Sequence, residues 1–409
     1  MKIIHLNQSS TDGGAARAAY RIHKSLLYQN VESRLFSNSG SVQENYIIYP
    51  SSNFHKISVF IKQKFEVLIV RFLNKSPFLP KSFSIFTSRY PKILNNTDTD
   101  IINLHWINNG MISIKDISKI KKPIVWTLHD MWPFCGTDHY TDSDYWKKAS
   151  LLNNSIVHKT FIDEIILYYK KNCWEKPITI ITPSNWLANC VKESNIMNKW
   201  PVYVIPNPID CDVWKPIDQN FCRQCFGLSP DTKVILYGAI GGIADPRKGF
   251  RLLKETLTKL NNKSSEYTVL IFGSQIIDHE FQNLGFKIIY LGHLYDDLTL
   301  NIAYCAADVT IVPSIKEAFG QTASESITCG TPVIAFGATG LLDIICHKYN
   351  GYLVKPFDTD DMAGAILWIF SSKEKLAEIK VNCRKFALDN FSYSVVSKKY
   401  LEVYNSILQ

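Results

Sequence analysis

The sequence predicts an α/β protein with two domains, each built on a doubly wound parallel sheet. Its 409 residues are too many for one ordinary hydrophobic core and suit two domains of about 200 residues each. Apolar residues make up 46% of the chain, a proportion typical of a globular protein. Short strand-like runs alternate with helical stretches in both halves, and this order favours parallel strands joined by helices.

The first half contains six predicted strands and two predicted helices. The strands cover residues 3–6, 32–37, 101–106, 124–128, 178–184 and 202–206, and the helices cover residues 15–29 and a stretch that begins at Asn185. Prolines and Asn207 follow the sixth strand, as in a linker.

Several residues of the first half occupy positions where α/β proteins bind ligands. Gly13 and Gly14 stand between the first strand and its helix, and such a turn either receives an anion or simply reverses the chain tightly. His105 and His129 come at the ends of two buried-type strands. Ligands gather at the carboxyl ends of parallel strands, although either histidine alone could equally belong to the core.

The second half repeats the alternation of strands and helices. Its predicted strands cover residues 234–237, 269–273, 287–291, 309–313, 333–336 and 351–354, and its helices cover residues 250–260, 297–307, 360–370 and 394–408, with a short helix that ends at Cys329. Gly330 and Pro332 stop that short helix, because glycine tolerates a left-handed cap and proline cannot continue a helix.

A glycine-rich loop follows the first strand of the second half. It contains Gly241 and Gly242 and ends in Arg247 and Lys248, directly before a predicted helix. Flexible backbone and cations beside a helix N-terminus suit a diphosphate. The glycine spacing does not match a dinucleotide-binding dehydrogenase. The alternative is a pair of solvated surface cations.

Two glutamates, Glu317 and Glu325, stand before and inside the short helix. The helical rise puts them roughly 10 Å apart, too far to share a proton but suited to the two ends of one elongated ligand. Between them, the backbone N–H groups near the helix start favour an anion. The residues concerned are Ala318, Phe319, Gly320 and Gln321. A nucleotide-sugar fits this outline, and a solvated helix face is the alternative.

The residues around the two glutamates resemble a known family. Pro313-Ser314, Glu317, Phe319-Gly320, Glu325 and Cys329-Gly330-Thr331-Pro332 together resemble the retaining nucleotide-sugar glycosyltransferases of family 4, which have the GT-B fold of two Rossmann-like domains facing a cleft. Gln321 and Thr322 stand where that family often has leucine and proline. The resemblance covers nearly the whole chain and is strongest over residues 206–354.

A second segment narrows the resemblance. The segment LHDMWPF, residues 128–134, is similar to the corresponding segment of colanic-acid and related exopolysaccharide transferases. That subgroup often has a cysteine-rich insertion next, and residues 135–146 keep a single cysteine, which makes a metal or disulfide role doubtful there.

The resemblance implies an activity and roles for the candidate residues. A sugar would move from a nucleotide-diphosphate sugar, a UDP- or GDP-sugar, to a hydroxyl of a glycan or lipid-linked glycan, with retention. The setting would be bacterial cell-envelope polysaccharide: O-antigen of lipopolysaccharide, capsule or exopolysaccharide. Glu317 would hold sugar hydroxyls, Glu325 the ribose, Arg247 and Lys248 the leaving diphosphate, and His129 would lie beside the transferred sugar.

The resemblance also implies positions for the glycines and the domains. Gly13, Gly14, Gly241 and Gly242 would line the cleft. The domains would be residues 1–207 and 208–390, and the helix in 391–409 would pack back on the first. No aspartate-x-aspartate motif stands in the expected place, so no metal and no cofactor besides the donor is expected. Ala239 replaces an arginine usual in the family, which leaves open a catalytically weak nucleotide-sugar-binding partner subunit.

Residues 54–95 are strongly basic. The segment contains eight lysines and arginines and one acid, Glu66. It therefore accounts for most of the net charge of +8 of the whole chain. Apolar and basic residues alternate at helical spacing, which predicts either an interfacial helix on anionic membrane or a docked helix with lysines in water. No nucleic-acid-binding motif accompanies the charge.

The sequence also indicates the compartment, the state of the cysteines and the absence of a recognisable pyridoxal-phosphate lysine. We expect a cytoplasmic protein, because neither a signal peptide nor an apolar window of about 20 residues is recognisable. Peripheral contact with the inner face of the membrane would follow from the interfacial-helix alternative for residues 54–95. The ten cysteines are expected as reduced thiols, and Cys222 and Cys225 lack further zinc ligands. A glycan phosphorylase would need a lysine that carries pyridoxal phosphate, which no motif indicates.

Overall fold

The chain divides into two compact units, each with its own parallel sheet. The computed structural model describes residues 1–50, 53–73, 80–148, 160–238, 241–275 and 277–409. The first unit comprises Met1–Pro208 and Val396–Gln409, and the second comprises Ile209–Val395.

The first unit has a seven-stranded sheet. Its strands are β1 (Lys2–Ser9), β2 (Glu32–Ser39), β3 (Ile47–Ile48), β4 (Ile101–Leu104), β5 (Ile124–Thr127), β6 (Thr179–Thr182) and β7 (Val202–Val204). The order is β3-β2-β1-β4-β5-β6-β7, and every neighbouring pair is parallel. The strand order reverses between β1 and β4. The carboxyl ends of these two strands therefore form the topological switch point, where open α/β sheets bind ligands.

Helices connect the strands of the first unit. They are α1 (Gly14–Tyr28), α2 (Asn53–Leu73), α3 (Tyr90–Asn95), α4 (Ile114–Ile117), α5 (Phe161–Cys173) and α6 (Asn185–Glu193). Every residue of β4 is buried, as expected for a strand with both faces covered. Among the described residues, no helix combines the length and the apolar character needed to span a membrane.

The second unit has a six-stranded sheet. Its strands are β8 (Lys233–Gly238), β9 (Tyr267–Phe272), β10 (Lys287–Gly292), β11 (Val309–Val312), β12 (Val333–Phe336) and β13 (Gly351–Val354). The order is β10-β9-β8-β11-β12-β13, again with parallel neighbours. The switch point here lies between β8 and β11. The predicted α/β class with two doubly wound parallel sheets is therefore confirmed.

The helices of the second unit and of the C-terminus follow the same pattern. They are α7 (Gln219–Cys225), α8 (Phe250–Thr258), α9 (His279–Gln282), α10 (Asp297–Ala306), α11 (Gln321–Thr328), α12 (Thr359–Ile369), α13 (Lys373–Phe391) and α14 (Tyr393–Leu408). Helix α14 returns to the first unit. Its Tyr400 and Tyr404 are fully buried in the core that contains Ile3, Ile101 and Val125, and Asn103 donates a hydrogen bond to the Tyr404 hydroxyl at 2.6 Å.

Candidate functional site

The loop after β8 packs against the end of β11. Ala239 lies outside the described residues. A 3-10 turn at Pro246–Lys248 leads into Gly249, which has a φ of +69° and precedes α8. A Cβ atom at Gly249 would lie 1.9 Å from the carbonyl oxygen of Pro313. Only glycine fits this close approach, so the approach fixes the place of the loop's cations relative to β11.

Lys248 and Glu317 meet across the second switch point. The Lys248 ammonium donates to Glu317 Oε1 at 2.6 Å, and the Ser314 hydroxyl donates to the same oxygen at 3.0 Å. The Glu317 backbone N–H donates to the Thr339 hydroxyl at 3.1 Å. Both charged side chains remain partly exposed, at 21% and 15%. The arrangement offers a solvent-accessible cation whose present partner is itself a carboxylate.

Arg247 has a partner within its own turn. Its guanidinium donates to both oxygens of Asp245, Nη2 to Oδ2 at 2.6 Å and Nε to Oδ1 at 3.2 Å. This two-pronged pair balances the arginine charge locally. Gly241 opens the same turn with a φ of +75°, and Gly242 accepts a hydrogen bond from the Tyr237 hydroxyl at 3.2 Å.

The second glutamate of the motif is buried. Glu325 is 3% exposed on α11, and the buried hydroxyl of Tyr304 donates to its Oε2 at 3.1 Å. The two glutamates therefore belong to one segment but have different surroundings. Burial holds Glu325 in place, whereas Glu317 faces Lys248 and solvent.

The residues between the glutamates form the start of α11. Gly320 has a φ of +112° and precedes Gln321, and no side chain caps the helix among the residues described. Ala318 and Phe319 are buried. A Cβ at Gly320 would meet Leu341 Cδ2 at 2.7 Å, so this position too favours glycine.

In the first unit, Gly13 and Gly14 form the entry to α1. Gly13 has a φ of +90°, and no side chain within the described chain caps this helix. The preceding loop is closed by Ser9, whose hydroxyl accepts the backbone N–H groups of Asp12 at 3.0 Å and of Thr11 at 3.3 Å. A Cβ at Gly13 would meet nothing within 4 Å.

His129 lies at the end of β5 in a row of three histidines. His129 Nε2 is 3.0 Å from His105 Nδ1, and His105 Nε2 is 2.8 Å from His5 Nδ1. The rings of His105 and His129 stack at 5.3 Å. Burial lowers the pKa of His129 to about 4 and places the pKa values of His105 and His5 well below the usual range. All three are therefore neutral near pH 7.

The insertion after LHDMWPF is held by ion pairs and hydrogen bonds. His139 lies 2.5 Å from Asp130 Oδ2 and 2.9 Å from the Ser82 hydroxyl, and Lys81 pairs with Asp138 at 2.6 Å. Cys135 is buried as a free thiol. Because the network ties Ser82 and His139 to Asp130, which follows β5 by three residues, we regard it as support for the end of β5.

One cavity of the second unit and the arrangement of possible metal ligands bear on the candidate site. Within the described ranges, no three histidine, cysteine or acidic side chains are arranged to hold a metal ion. Cys222 is buried and Cys225 exposed. A cavity of about 620 Å³ in the second unit is lined by other residues, including Pro216, Cys305, Cys329 and Leu388.

Helix α2 presents its apolar residues outward. The exposed set is Ile57, Phe60, Ile61, Phe65, Val67 and Leu68, each between 44% and 59% exposed. The buried side carries Val59 and Glu66, and Glu66 Oε1 accepts the backbone N–H groups of Phe83 at 2.7 Å and Ser84 at 2.9 Å. This is the reverse of an ordinary docked helix. Residues 74–79 of the basic segment lie outside the described residues.

Sequence reasoning missed several contacts of the candidate residues. His5 stands in the middle of β1, where a lone histidine gives no positional signal, and Tyr304 lies on the preceding helix α10, outside the motif itself. Ser314 belongs to the family-like pattern without a predicted role of its own, yet its hydroxyl donates a hydrogen bond to Glu317. Its spacing of three residues before Glu317 is the one signal that could have indicated the contact.

Two family models match the chain. The model of Glycosyltransferase Family 4 matches residues 12–213, and the model of Glycosyl transferases group 1 matches residues 226–386. An uncharacterized glycosyltransferase of Methanocaldococcus jannaschii is 29% identical over 196 residues, which are 46% of this chain and 49% of that protein. The chain thus spans about half the length of this relative. An uncharacterized 41.2 kDa protein in the cps region of Klebsiella pneumoniae is 24% identical over 77% of this chain and 81% of its own length.

Solved structures share the architecture. Sucrose-phosphate synthase from Thermosynechococcus elongatus superposes with a TM-score of 0.69 at 18% identity, covering 100% of this chain and 99% of that one. Anabaena HepE in complex with UDP and glucose gives a TM-score of 0.64 at 18% identity, covering 99% and 100%. At such identities the likeness shows the fold alone, which is the predicted GT-B fold. The two family models establish that the chain belongs to the glycosyltransferases, with a family 4 region at residues 12–213 and a group 1 region at residues 226–386.

Proposed function

We propose that the chain is a retaining glycosyltransferase that uses a nucleotide-diphosphate sugar. The bond between the anomeric carbon and the diphosphate breaks, a bond to an acceptor hydroxyl forms on the same face, and the hydroxyl proton is released. The acceptor is a glycan or lipid-linked glycan of bacterial cell-envelope polysaccharide. This setting is supported by the similarity to the Klebsiella pneumoniae protein of a cps region, which extends over 81% of that protein's length.

One observation carries the donor site: the contact between Lys248 and Glu317 at the second switch point. A leaving diphosphate gains negative charge, and a fixed cation stabilises that charge more in the transition state than in the ground state. Lys248 is partly exposed, and its partner Glu317 stands four residues before α11, whose N-terminal backbone donors favour the same negative charge. In this assignment the diphosphate takes Lys248, and Glu317 turns to the sugar hydroxyls.

The other candidate residues take roles around that contact. Glu325, buried beside Tyr304, holds the ribose, and Arg247 adds a second charge near the diphosphate with Asp245 as its support. Gly13, Gly14, Gly241 and Gly242 allow close approach of backbone to the ligand. His129 contacts the transferred sugar. UDP is the first nucleotide to test, because the similar Anabaena protein was solved with UDP and glucose.

Thermal-shift binding of UDP, GDP, ADP, TDP and CMP tests the donor site. One diphosphate should stabilise the parent protein and fail to stabilise Lys248→Met. Lys254→Met is the matched control, since Lys254 is also a partly exposed lysine in an ion pair, with Asp278 at 3.0 Å. If Lys248→Met responds like the control, the proposed donor site is wrong.

A catalytically weak partner subunit is the second candidate, favoured by the local neutralisation of Arg247 by Asp245. Such a subunit would bind the nucleotide and depend on Lys248 but release no sugar. Incubation with the UDP- or GDP-sugar selected by the binding panel, followed by detection of free nucleoside diphosphate, separates the two. Release above a Lys248→Met background supports the enzyme.

We also propose that α2 docks on anionic membrane. Its exposed face combines Phe60, Ile61 and Leu68 with Lys56 and Lys64. The one acid of the helix, Glu66, is turned inward onto backbone N–H groups and so adds no repulsion at the exposed face. Apolar side chains flanked by lysines describe an interfacial helix attracted to anionic lipid.

Co-sedimentation with vesicles tests the docking. The parent should sediment with vesicles containing phosphatidylglycerol and not with pure phosphatidylcholine. The variant Phe60→Ser with Leu68→Ser should stay in solution, whereas Leu298→Ser, a similarly exposed leucine at 62% in the second unit, should behave as the parent. Equal sedimentation of all three proteins would rule out docking through α2.

A further inference from the structure

The row of three histidines in the first unit constrains where their protons lie. His5 belongs to β1, and His105 and His129 follow β4 and β5, so three neighbouring strands bring them together. The two contacts, at 2.8 Å between His5 and His105 and at 3.0 Å between His105 and His129, use both nitrogens of His105. His129 takes part through Nε2, and its Nδ1 has no hydrogen-bond partner among the described residues.

Proton counting leaves two arrangements. A neutral imidazole has one N–H and one bare nitrogen, so each of the two contacts holds one proton and all protons point the same way. In the first arrangement His5 donates to His105, His105 donates to His129, and the proton of His129 lies on Nδ1. In the second arrangement the direction reverses, and Nδ1 of His129 is bare.

The far end of the row decides between them. His5 Nε2 is buried and has no hydrogen-bond partner within the described part of the chain. In the first arrangement this atom is a bare acceptor, and in the second it is an unsatisfied N–H donor. Buried N–H groups without a partner are rarer in proteins than under-satisfied acceptors. The first arrangement therefore fits the structure better.

We propose that His105, backed by His5, is a positioning residue that fixes the proton of His129 on Nδ1. His129 then meets a sugar oxygen as a hydrogen-bond donor and does not act as a base, since Nε2 is already occupied by His105. The contact with sugar rests on the proposed function. The tautomer itself is a property of the protein without ligand, so it can be tested independently of the proposed sugar contact.

The neutral state of the three rings agrees with this assignment. Burial lowers all three pKa values, and the Asp130 carboxylate offsets this only in part for His129. Because burial outweighs the attraction of Asp130, His129 stays neutral and the tautomer is retained across the neutral pH range.

The nitrogen-15 NMR spectrum of the full-length protein with labelled histidine rings tests the tautomer directly. Protonated and bare ring nitrogens have well-separated chemical shifts, and His129→Phe identifies the His129 signals. We expect a protonated Nδ1 and a bare Nε2 for His129 at pH 7. The opposite pattern in the parent protein would overturn the proposal.

Three variants separate positioning from mere packing. His105→Phe keeps a ring but removes both contacts, so the proton of His129 should redistribute toward Nε2. In His105→Asn the amide nitrogen stands near the place of Nδ1 and can still donate to His129, so the Nδ1 tautomer should be retained. The control is His23→Phe, which replaces another buried histidine, bonded to Ser33 at 2.7 Å, and should leave His129 unchanged. An unchanged tautomer in His105→Phe would also overturn the proposal.

The effect of the His129 tautomer on ligand binding is measured as the difference in affinity between the nucleotide-sugar and the nucleoside diphosphate. For the base selected by the nucleotide panel, dissociation constants of the diphosphate and of its sugar conjugate are compared. His105→Phe should lose about two- to tenfold in the sugar-dependent part, the size of one hydrogen bond, and keep the affinity for the diphosphate. His105→Asn should restore it. A failure of every nucleotide to bind contradicts the proposed donor site and leaves the NMR result to decide the tautomer.

Discussion

The two switch points are equivalent in topology and opposite in chemistry. In the first sheet the edge between β1 and β4 carries neutral histidines, with His5 and His105 buried and hydrogen-bonded to each other. In the second sheet the edge between β8 and β11 carries Lys248 and Glu317, a charged pair that solvent reaches. The strand order fixes where ligands approach, and the side chains at each edge decide what can bind there.

The difference teaches how each site can respond to a ligand. A buried row of rings is held by packing and by hydrogen bonds that share protons in one direction, so it offers one fixed geometry. A partly exposed ion pair is worth only about 0.2–1 kcal/mol and can exchange its partner for a phosphate oxygen. The first site is therefore suited to recognise shape, and the second to receive charge.

Acid should destabilise the first unit much more than the second. His5, His23, His105 and His129 all have folded pKa values lowered by burial, to about 4 for His23 and His129. Because unfolded histidine titrates near pH 6.5, this stability is complete above about pH 6.5 and is lost as the pH falls toward 4. Each of these histidines contributes a slope of up to about 1.4 kcal/mol per pH unit within that window, so even one of them accounts for a loss of about 2 kcal/mol between pH 6.5 and pH 5.

Hydrogen exchange at pH 7 and pH 5, corrected for intrinsic rates, measures this contrast unit by unit. Peptides from β1, β4 and β5 should lose protection, while peptides from β8 and β11 should keep it, since His279, His293 and His347 of the second unit are exposed. Equal loss in both units would show that the histidine row does not govern acid stability. In His23→Phe, the stability of the first unit should fall less steeply with pH, because one buried histidine has been removed.

Gly249→Ala should damage the second switch point more than Gly13→Ala damages the first. An added Cβ would collide with the Pro313 carbonyl oxygen at 1.9 Å and would sit at a φ of +69°. Overpacking and a left-handed backbone together predict a loss of about 3–5 kcal/mol. Gly241→Ala, at a φ of +75° with nothing within 4 Å, should cost only about 1–2 kcal/mol.

Gly13→Ala extends this test to the first unit. Its Cβ also meets nothing within 4 Å, so only the backbone conformation opposes the change, at about 1–3 kcal/mol. Urea unfolding followed by hydrogen exchange in each unit gives the three values. Equal losses at Gly249 and Gly241 would mean that the loop after β8 can move away from β11 without difficulty.

The fold was predictable because its signals are local. The run at β11 is entirely β-branched and the run at β12 is entirely apolar, and Gly330 with Pro332 ends α11 within the same segment. Strand β3, with two residues, is too short to leave a pattern. Helix α13 has only a narrow buried stripe that includes a cysteine and an alanine, Cys383 and Ala387, which gives a weak periodic signal in the sequence.

The candidate site was predictable only as far as single residues. Lys248 and Glu317 were each identified, but their contact depends on the approach of Gly249 to Pro313, which no spacing in the sequence expresses. His105 and His129 were identified at two strand ends, whereas His5 lies within a strand. The direction of its side chain toward His105 follows from the pairing of β1 with β4.

If Lys248 exchanges Glu317 for the diphosphate on binding, the variants Lys248→Met and Glu317→Gln should differ in their affinity for the diphosphate. Lys248→Met should weaken binding of the nucleoside diphosphate about ten- to a hundredfold, because a charge-assisted hydrogen bond contributes about 1.5–3 kcal/mol. Glu317→Gln should bind the diphosphate as well as the parent or up to about fivefold tighter, because the competing carboxylate is gone. Calorimetric titration measures both. If both variants weaken binding equally, the pair acts as a unit and does not exchange partners.

Two tyrosines give the smallest and most balanced comparison of the units. Tyr304→Phe removes the hydroxyl that donates to Glu325 at 3.1 Å, and Tyr404→Phe removes the hydroxyl that accepts from Asn103 at 2.6 Å. Both hydroxyls are buried, so each variant should lose about 1 kcal/mol of stability. Only Tyr304→Phe should also weaken nucleotide binding a few-fold, because Glu325 is the proposed ribose contact and would lose its support. A nucleotide affinity that changes equally in both variants would mean that Glu325 is held for stability and not for the ligand.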